Sequence, residues 1–202
     1  DGKPFKTREG GVMRLENLIA DIDEAAYNRI MENRTVSEDE AKKTAEIVGL
    51  AALKYGDLSN QATKDYVFDI DRFTSFEGNT GQYVIYTIAR INSIFKKYSD
   101  TCENTESGEI LPSSAEPEKT LMLALSRYSD VMFTCFEELA PHKICAYIYE
   151  LSNALNHFYH ETEIIAEEDK KKQAGYISLV TLTRDVLMTC INVLGFSAPE
   201  RM

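Results

Sequence analysis

The sequence predicts a mainly α-helical protein that ends in a helical bundle, with little β-strand. Apolar residues recur at three- and four-residue intervals over most of the 202 residues, which is the pattern of helices with one buried face. Residues that start and stop helices bracket those stretches. The hydrophobic content of 44% is enough for a core that needs no disulfides or structural metal.

Two helices are predicted in the N-terminal part. A polar, glycine-rich dozen residues leads into a periodic stretch that we expect to be helical over 14–31. Ser37 and Glu40 have the spacing of a capping box, in which each side chain satisfies a backbone N–H at the helix start. A helix over 38–54 should follow, and Gly56 should lie near its end.

Residues 66–70 are rich in aromatic and β-branched types, which predicts a short strand. Asp65, Asp69 and Asp71 alternate around it. Such acids can bind a metal, but this segment lacks the glycine and terminal glutamate of a calcium loop. A role at a strand edge or turn is the favoured interpretation, and no metal site is predicted.

Four helices are predicted from residue 77 onward. They cover 81–98, 118–139, 142–159 and 167–194. Pro117 suits the first turn of the second helix, and Gly195 suits the C-cap of the last. Residues 100–118 hold six acids and no base, together with glycine and proline, so we expect a solvated loop there. Short joins between the helices would make an antiparallel bundle.

The charge balance limits the function. A net charge of −11 argues against a general nucleic-acid binder, because non-specific affinity comes from Lys and Arg side chains that neutralise phosphates. A specific, local RNA site stays open. Four cysteines lie far apart without a C-x-x-C pair, which favours reduced thiols in a cytoplasmic protein. No signal peptide or membrane-length segment is predicted, and neither DNA nor a membrane is an expected partner.

Tyr83, Tyr86 and Arg90 are the first candidate site. Their i, i+3, i+7 spacing places them on one helix face, where two rings and a guanidinium can stack on unpaired bases. From spacing alone a half-buried packing role is favoured, because tyrosine stripes on bundle helices usually pack.

Two further candidates lie toward the C-terminus. Tyr159 stands among His157, Phe158 and His160, where helix-end packing is the favoured interpretation. The two histidines lack a third ligand at a spacing that would suit a metal. Residues 170–172 are lysines that follow three acids, which favours a solvated face, with contact to RNA phosphates as the alternative.

Several separated blocks resemble arginyl-tRNA synthetases, a family of class I aminoacyl-tRNA synthetases. The blocks are 3–11, 49–71, 78–81, 141–151, 157–159 and 200–202. The first is similar to the family's KMSKS loop. Because the blocks follow one another in the family's order, chance does not explain them.

The resemblance implies two parts. Residues 1–76 would be the C-terminal end of the catalytic domain, and 77–202 would be the helical anticodon-binding domain, often called the DALR domain. In the parent enzyme, an arginine-tRNA ligase, the KMSKS-like loop would bind ATP with Mg²⁺. The loop residues concerned are Lys3, Lys6, Thr7 and Arg8. The family's HIGH signature would lie upstream, so the chain alone is expected to be inactive and to hold no cofactor.

The resemblance also implies which residues contact the anticodon. They are Tyr83, Tyr86, Arg90, Tyr159 and Met202. Gln82 and Ile85 depart from the family, which usually has Pro and Gln at these positions. The first change removes a rigid helix start, and the second removes an amide donor and acceptor.

The favoured hypothesis is that this chain is the C-terminal part of an arginine-tRNA ligase. It would bind the anticodon stem-loop of arginine tRNA and position it for ATP-dependent aminoacylation by the full enzyme. The alternative is a helical protein-interaction module that does not bind tRNA. The parent is expected to be a monomer, whereas apolar surface exposed on the isolated chain could give dimer contacts.

Overall fold

The structure is a computed structural model that describes residues 14–32, 36–101 and 108–201. These residues form eight α-helices and no β-strand. The helices are α1 (Leu15–Glu32), α2 (Glu38–Leu58), α3 (Ile70–Phe73), α4 (Gly81–Thr101), α5 (Glu116–Ser126), α6 (Tyr128–Glu138), α7 (His142–Glu161) and α8 (Lys170–Leu194). The mainly helical fold predicted from the sequence is therefore confirmed.

The helices predicted over 14–31 and 38–54 are present as α1 and α2, although α2 continues to Leu58. Ser37 caps α2, since its Oγ accepts a hydrogen bond from the backbone N–H of Glu40 at 3.3 Å. This is half of the predicted capping box, and it satisfies one of the free N–H groups at the helix start.

Gly56 lies near the end of α2, as predicted, since the helix ends at Leu58. It is buried, and an added Cβ would lie 2.4 Å from the ring of Phe73. The prediction of a strand over residues 66–70 is wrong. The residues directly before α3 have no regular secondary structure. Their aromatic side chains pack together instead, with the rings of Phe68 and Phe73 edge-to-face at 4.6 Å. Asp69 has a turn role, since its carboxylate caps α3.

The helix predicted over 118–139 is divided into α5 and α6, with Pro117 in the first turn of α5. Arg127 lies at the break, where its ψ of −8° departs from the helical value. Both pieces pack against α7, and Arg127 Nη1 donates to the carboxylate of Glu150 on α7 at 2.8 Å. No proline or glycine marks the break, so periodicity alone does not reveal it.

The other predicted helices are confirmed as α4, α7 and α8, and Gly195 ends α8 with a φ of 80°. α7 packs against α4, α5, α6 and α8. Residues 102–115 join α4 to α5 and fall within the loop predicted over 100–118. The described part of this join crosses α8. There the N–H of Gly108 donates to the carbonyl of Ala174 at 3.2 Å, and the hydroxyl of Ser178 donates to the carbonyl of Gly108. This end of the predicted loop is packed, whereas residues 112–116 are exposed.

α8 is long and apolar enough to cross a membrane by length and composition alone, contrary to the expectation from the sequence. Its most apolar window has a mean hydropathy of 1.5, and 44% of that window is buried inside the protein. Val180, Leu187 and Ile191 of α8 belong to the bundle core. A helix buried in a protein core can be as long and as apolar as a membrane-spanning helix.

Tyr55 of α2 joins four parts of the structure. The residue is fully buried, and its hydroxyl oxygen lies 2.5 Å from Asn79 Oδ1 in the turn before α4 and 2.8 Å from the carbonyl oxygen of Cys145 in α7. The single hydroxyl proton serves one of these acceptors at a time. The ring meets Phe196 of the C-terminal tail edge-on, with centroids 6.4 Å apart. α2 therefore shares a core with the bundle.

Replacing Tyr55 by Phe should destabilise the chain by roughly 1 to 3 kcal/mol, because the buried carbonyl of Cys145 loses the hydroxyl that donates to it. Urea unfolding followed by circular dichroism measures the change. Tyr66→Phe is the matched control, since the Tyr66 hydroxyl donates to Asp57 at an exposed site, and it should cost less than about 0.5 kcal/mol. Equal losses for the two variants would contradict the role of Tyr55.

Buried thiols predict a loss of stability at alkaline pH. Burial raises the pKa of Cys145 and the pKa of Cys190 to about 12 each, whereas a thiol in the unfolded chain titrates near about 8.5. The folded state keeps these protons after the unfolded state has lost them. Stability is therefore full below the unfolded value and falls as the pH rises toward 12. The urea midpoint, measured at several pH values in this range, should fall less steeply with pH in the Cys145→Ala, Cys190→Ala double variant than in the unaltered chain. Parallel curves for the two proteins would contradict this account.

Candidate functional site

The turn before α4 sets the direction of that helix. Thr80 caps it, since its Oγ1 accepts from the N–H of Tyr83 at 3.2 Å. Gly78 has a φ of 80°, which other residues rarely adopt. Gly81 lets α4 begin against α2, because an added Cβ would lie 2.5 Å from the carbonyl oxygen of Ala51. One side of α4 is thereby held on the core, and the opposite side carries the candidate residues.

Arg90 is held between two aromatic rings. Its Cζ lies 5.1 Å from the ring centroid of Tyr86 and 5.9 Å from that of Tyr159, both within the range of a cation–π interaction. Tyr86 is 39% exposed, and its ring meets Phe76 edge-on with centroids 6.2 Å apart. The two rings and the cation make a platform that is open to solvent on the side of Tyr86.

A chain of hydrogen bonds continues from Arg90 into α7. Arg90 Nη1 donates to Asn156 Oδ1 at 2.6 Å. Asn156 Nδ2 donates to Tyr83 Oη at 2.9 Å, and Tyr83 Oη donates to Asn153 Oδ1 at 2.6 Å. The ring of Tyr83 also meets Tyr149 edge-on at 5.5 Å. These side chains are therefore oriented by one another.

The contacts show that α4 and α7 run in the same direction, as the first and third helices of an up-and-down bundle do. Tyr83 meets Asn153, and Arg90, about two turns further along α4, meets Tyr159 about two turns further along α7. We call the resulting surface the α4–α7 face. It consists of Tyr83, Tyr86, Arg90, Tyr149, Asn153, Asn156 and Tyr159.

The structure brings four of the predicted site residues together on this face. They are Tyr83, Tyr86, Arg90 and Tyr159. Sequence reasoning missed Tyr149, Asn153 and Asn156. Their i, i+4, i+7 spacing on a predicted helix was a usable signal, because it marks a second stripe of polar and aromatic residues. The stripe does not by itself show which helix it faces.

Five predicted residues lie outside the described part of the chain. They are Lys3, Lys6, Thr7, Arg8 and Met202. The neighbouring Arg201 donates two hydrogen bonds to the Glu40 carboxylate in α2, at 2.5 and 2.8 Å. Asn92 Nδ2 donates to the carbonyl of Glu200 at 3.1 Å. Asn92 follows Arg90 by two residues, which is a rotation of about 200° around a helix. It therefore lies on the side of α4 away from Arg90, and its hydrogen bond holds Glu200 on that side.

Gln82 and Ile85, which depart from the family pattern, are fully buried on the core side of α4. Ile85 belongs to the main hydrophobic cluster. The amide of Gln82 makes no hydrogen bond with any described residue. Neither side chain contributes to the α4–α7 face, so the two departures leave its composition unchanged.

The other sequence candidates are not members of the α4–α7 face. In the described residues, no group of three or more His, Cys, Asp or Glu side chains could hold a metal ion. His160 lies beside Tyr159, with ring centroids 5.9 Å apart. Lys172 pairs with Glu167 at 3.3 Å, and its Nζ lies 5.4 Å from the ring centroid of Tyr176. At least this lysine of the 170–172 run is engaged within the fold.

Two family models match the sequence. The one described as DALR anticodon binding domain matches residues 84–202, and the one described as tRNA synthetases class I (R), catalytic domain, matches residues 1–70. The first covers all of the α4–α7 face except Tyr83, which directly precedes it. α2 lies in the region of the second.

Similar proteins agree with these matches. The chain is 55% identical to an arginine-tRNA ligase of Agathobacter rectalis, over 100% of this chain and 35% of that relative. It is 52% identical to one of Alkaliphilus oremlandii, over 100% of this chain and 34% of that relative. It therefore spans about a third of the length of these relatives. The arginyl-tRNA synthetase of Thermus thermophilus shares the fold with a TM-score of 0.84 at 24% identity, over 96% of this chain and 33% of that one.

Asn156 should matter more for stability than Asn153. Asn156 is 9% exposed and joins Arg90 to Tyr83, so Asn156→Ala leaves covered polar groups without partners and should cost roughly 1 to 3 kcal/mol. Asn153 is exposed, and Asn153→Ala should cost less than about 0.5 kcal/mol. Urea unfolding measures the loss of stability in each variant. A larger loss in Asn153→Ala than in Asn156→Ala would contradict the central role of Asn156.

Proposed function

This chain belongs to the arginyl-tRNA synthetase family and carries the family's DALR anticodon-binding domain, and we propose that its α4–α7 face binds unpaired anticodon bases of arginine tRNA. The observation that carries the proposal is the platform of Tyr86, Arg90 and Tyr159. Aromatic rings stack on bases of any sequence, and a guanidinium can hold a phosphate or a base edge.

The members of the platform have different roles. Tyr86 is the more exposed ring and provides the main stacking surface. Tyr159 is partly covered and backs Arg90 from the α7 side. Asn156 holds the guanidinium through one N–H, which leaves its other donors for RNA. The platform is set before RNA arrives, and preorganisation lowers the entropic cost of binding.

The acidity of the chain suits a local site of this kind. A net charge of −11 provides no general attraction for phosphates, so affinity has to come from stacking and from individual cations such as Arg90. We expect a small number of phosphate contacts and therefore a modest salt dependence.

In the longer enzyme, the bound stem-loop would position the tRNA for ATP-dependent aminoacylation in the cytoplasm. The division into 1–76 and 77–202 belongs to this proposal, as does binding of ATP with Mg²⁺ by the loop that contains Lys3, Lys6, Thr7 and Arg8. α2 would transmit the position of the bundle to the catalytic part, because Tyr55 of α2 is bonded into the start of α4 and into α7.

A protein-contact function is the second candidate, and one observation favours it. Phe133 and Phe136 of α6 and Leu139 directly after it are 67%, 73% and 83% exposed. An exposed apolar ridge of this size is typical of a surface that contacts another protein or a second copy. This candidate requires no RNA binding, so the experiment that follows separates the two.

Truncating Tyr86 should weaken tRNA binding. Fluorescence anisotropy with labelled arginine tRNA and a non-cognate tRNA, over a range of salt, measures the affinity of the chain. We expect preference for arginine tRNA, an affinity that falls as salt rises, and a further roughly 5- to 150-fold loss in Tyr86→Ala, since one stacked base contributes about 1 to 3 kcal/mol. Phe133→Ala is the matched control, because it truncates an exposed ring outside the face, and it should bind as the unaltered chain does. Equal affinity for both tRNAs without salt dependence would leave the protein-contact function.

A further inference from the structure

We propose that the exposed apolar side of α6 is a docking site for a basic amphipathic helix of another protein. We call this site the α6 ridge, and it consists of Phe133, Phe136 and Leu139. The inference goes beyond the binding of RNA and does not depend on it. α6 packs against α5 and α7 and contributes no residue to the α4–α7 face.

α6 is the only described helix without a buried residue. Val131 and Met132 are partly covered by the core, whereas Phe133 and Phe136 are 67% and 73% exposed. The two phenylalanines are three residues apart, so they are neighbours on one helix face. Exposed apolar residues that stand alone are ordinary, but a group of large ones marks a contact surface.

Leu139 extends the ridge at a conformational cost. Its φ of 50° and ψ of 45° lie in the left-handed region, which glycine adopts without strain. No other described residue except glycine has a positive φ. The side chain is 83% exposed, so packing within the chain does not offset the strain. A contact outside the chain explains a leucine at this position, where a glycine would fit more easily.

The size of the ridge limits the partner. Its three side chains expose on the order of 400 Å². This is about half of the roughly 800 Å² that each partner buries in an interface of standard size. One amphipathic helix has an apolar stripe wide enough to cover the ridge, and phenylalanine is enriched at the centre of such interfaces.

The charges beside the ridge determine which kind of helix fits. Asp130 lies three residues before Phe133 and Glu137 four residues after it, so both acids flank its ring. Both are exposed, and neither carboxylate forms an ion pair with a described residue. Lysine or arginine beside the apolar stripe of a partner would complement them. A second copy of this chain fits less well, because it carries the same acids and the same net charge of −11.

The test uses the 202-residue chain and two labelled synthetic peptides of about four helical turns. One peptide has leucine on the apolar side of an amphipathic helix and lysine elsewhere, and the other has glutamate in place of lysine. Fluorescence anisotropy measures the dissociation constants. We expect the leucine–lysine peptide to bind at least roughly 10-fold more tightly than the leucine–glutamate peptide.

Three variants locate the binding site. The Phe133→Ser, Phe136→Ser double variant keeps the net charge and should bind the leucine–lysine peptide roughly 5- to 30-fold more weakly. The Asp130→Asn, Glu137→Gln double variant should bind it roughly 2- to 10-fold more weakly. Val193→Ser is the matched control, because it removes an apolar side chain of α8 that is 58% exposed, and it should bind as the unaltered chain does.

Leu139→Gly separates an anchor from a structural residue. Glycine removes both the strain and the apolar side chain, so the variant should have a higher urea midpoint and a weaker affinity for the leucine–lysine peptide. A lower midpoint would show that Leu139 serves the fold and would overturn its role as an anchor.

Three results would overturn the proposal as a whole. The first is that neither peptide binds or that the two bind equally, and the second is that the Phe133→Ser, Phe136→Ser variant binds as tightly as the unaltered chain. The third is self-association of the chain in sedimentation velocity that this variant loses, because the ridge would then serve a second copy. Circular dichroism confirms that the compared chains are folded.

The proposed function is tested separately. The Phe133→Ser, Phe136→Ser variant keeps the α4–α7 face and should bind arginine tRNA as the unaltered chain does. Failure of the unaltered chain to bind arginine tRNA would overturn the proposed function and leave the α6 ridge in place.

Discussion

The arrangement of the helices depends on the buried hydroxyl of Tyr55. A polar group inside a core is costly unless it is hydrogen-bonded. The Tyr55 hydroxyl is a donor at neutral pH, as tyrosine hydroxyls ordinarily are, and burial raises its pKa further. Its partners are Asn79, in the turn that leads into α4, and the carbonyl of Cys145 in α7. α4 and α7 are the two helices that build the α4–α7 face, so the hydroxyl of Tyr55 links α2 to both.

The connection at Tyr55 crosses the two regions that the family models cover. α2 lies within the part similar to the class I catalytic domain, whereas α7 and nearly all of α4 lie within the DALR part. The C-terminal tail adds two more connections, because Phe196 packs on Tyr55 and Arg201 binds Glu40 at the start of α2. Residues of both regions therefore share one hydrophobic core, and that core supports the α4–α7 face.

α4 combines a fixed backbone with an accessible side. Val84, Ile85 and Ile88 on one side are fully or almost fully buried, which fixes the backbone of the helix. Tyr86 and Arg90 project from the other side, where Arg90 is held by Asn156 and Tyr159 of α7 and Tyr86 contacts Arg90 and Phe76. Side chains that are oriented before binding lose little entropy when a base arrives.

The sequence by itself determined most helices, their caps, the family, and the fact that Tyr83, Tyr86 and Arg90 share one side of a helix. Each of these depends on residues within a few positions of one another, where spacing and helical geometry are enough. Only the tertiary structure decided that Asn153, Asn156 and Tyr159 meet that side, and that the aromatic residues before α3 pack together instead of forming a strand. The hydrogen bonds between α4 and α7 join residues that are 66 to 73 positions apart. Such contacts follow from how whole helices pack around a shared core, and no local spacing specifies them.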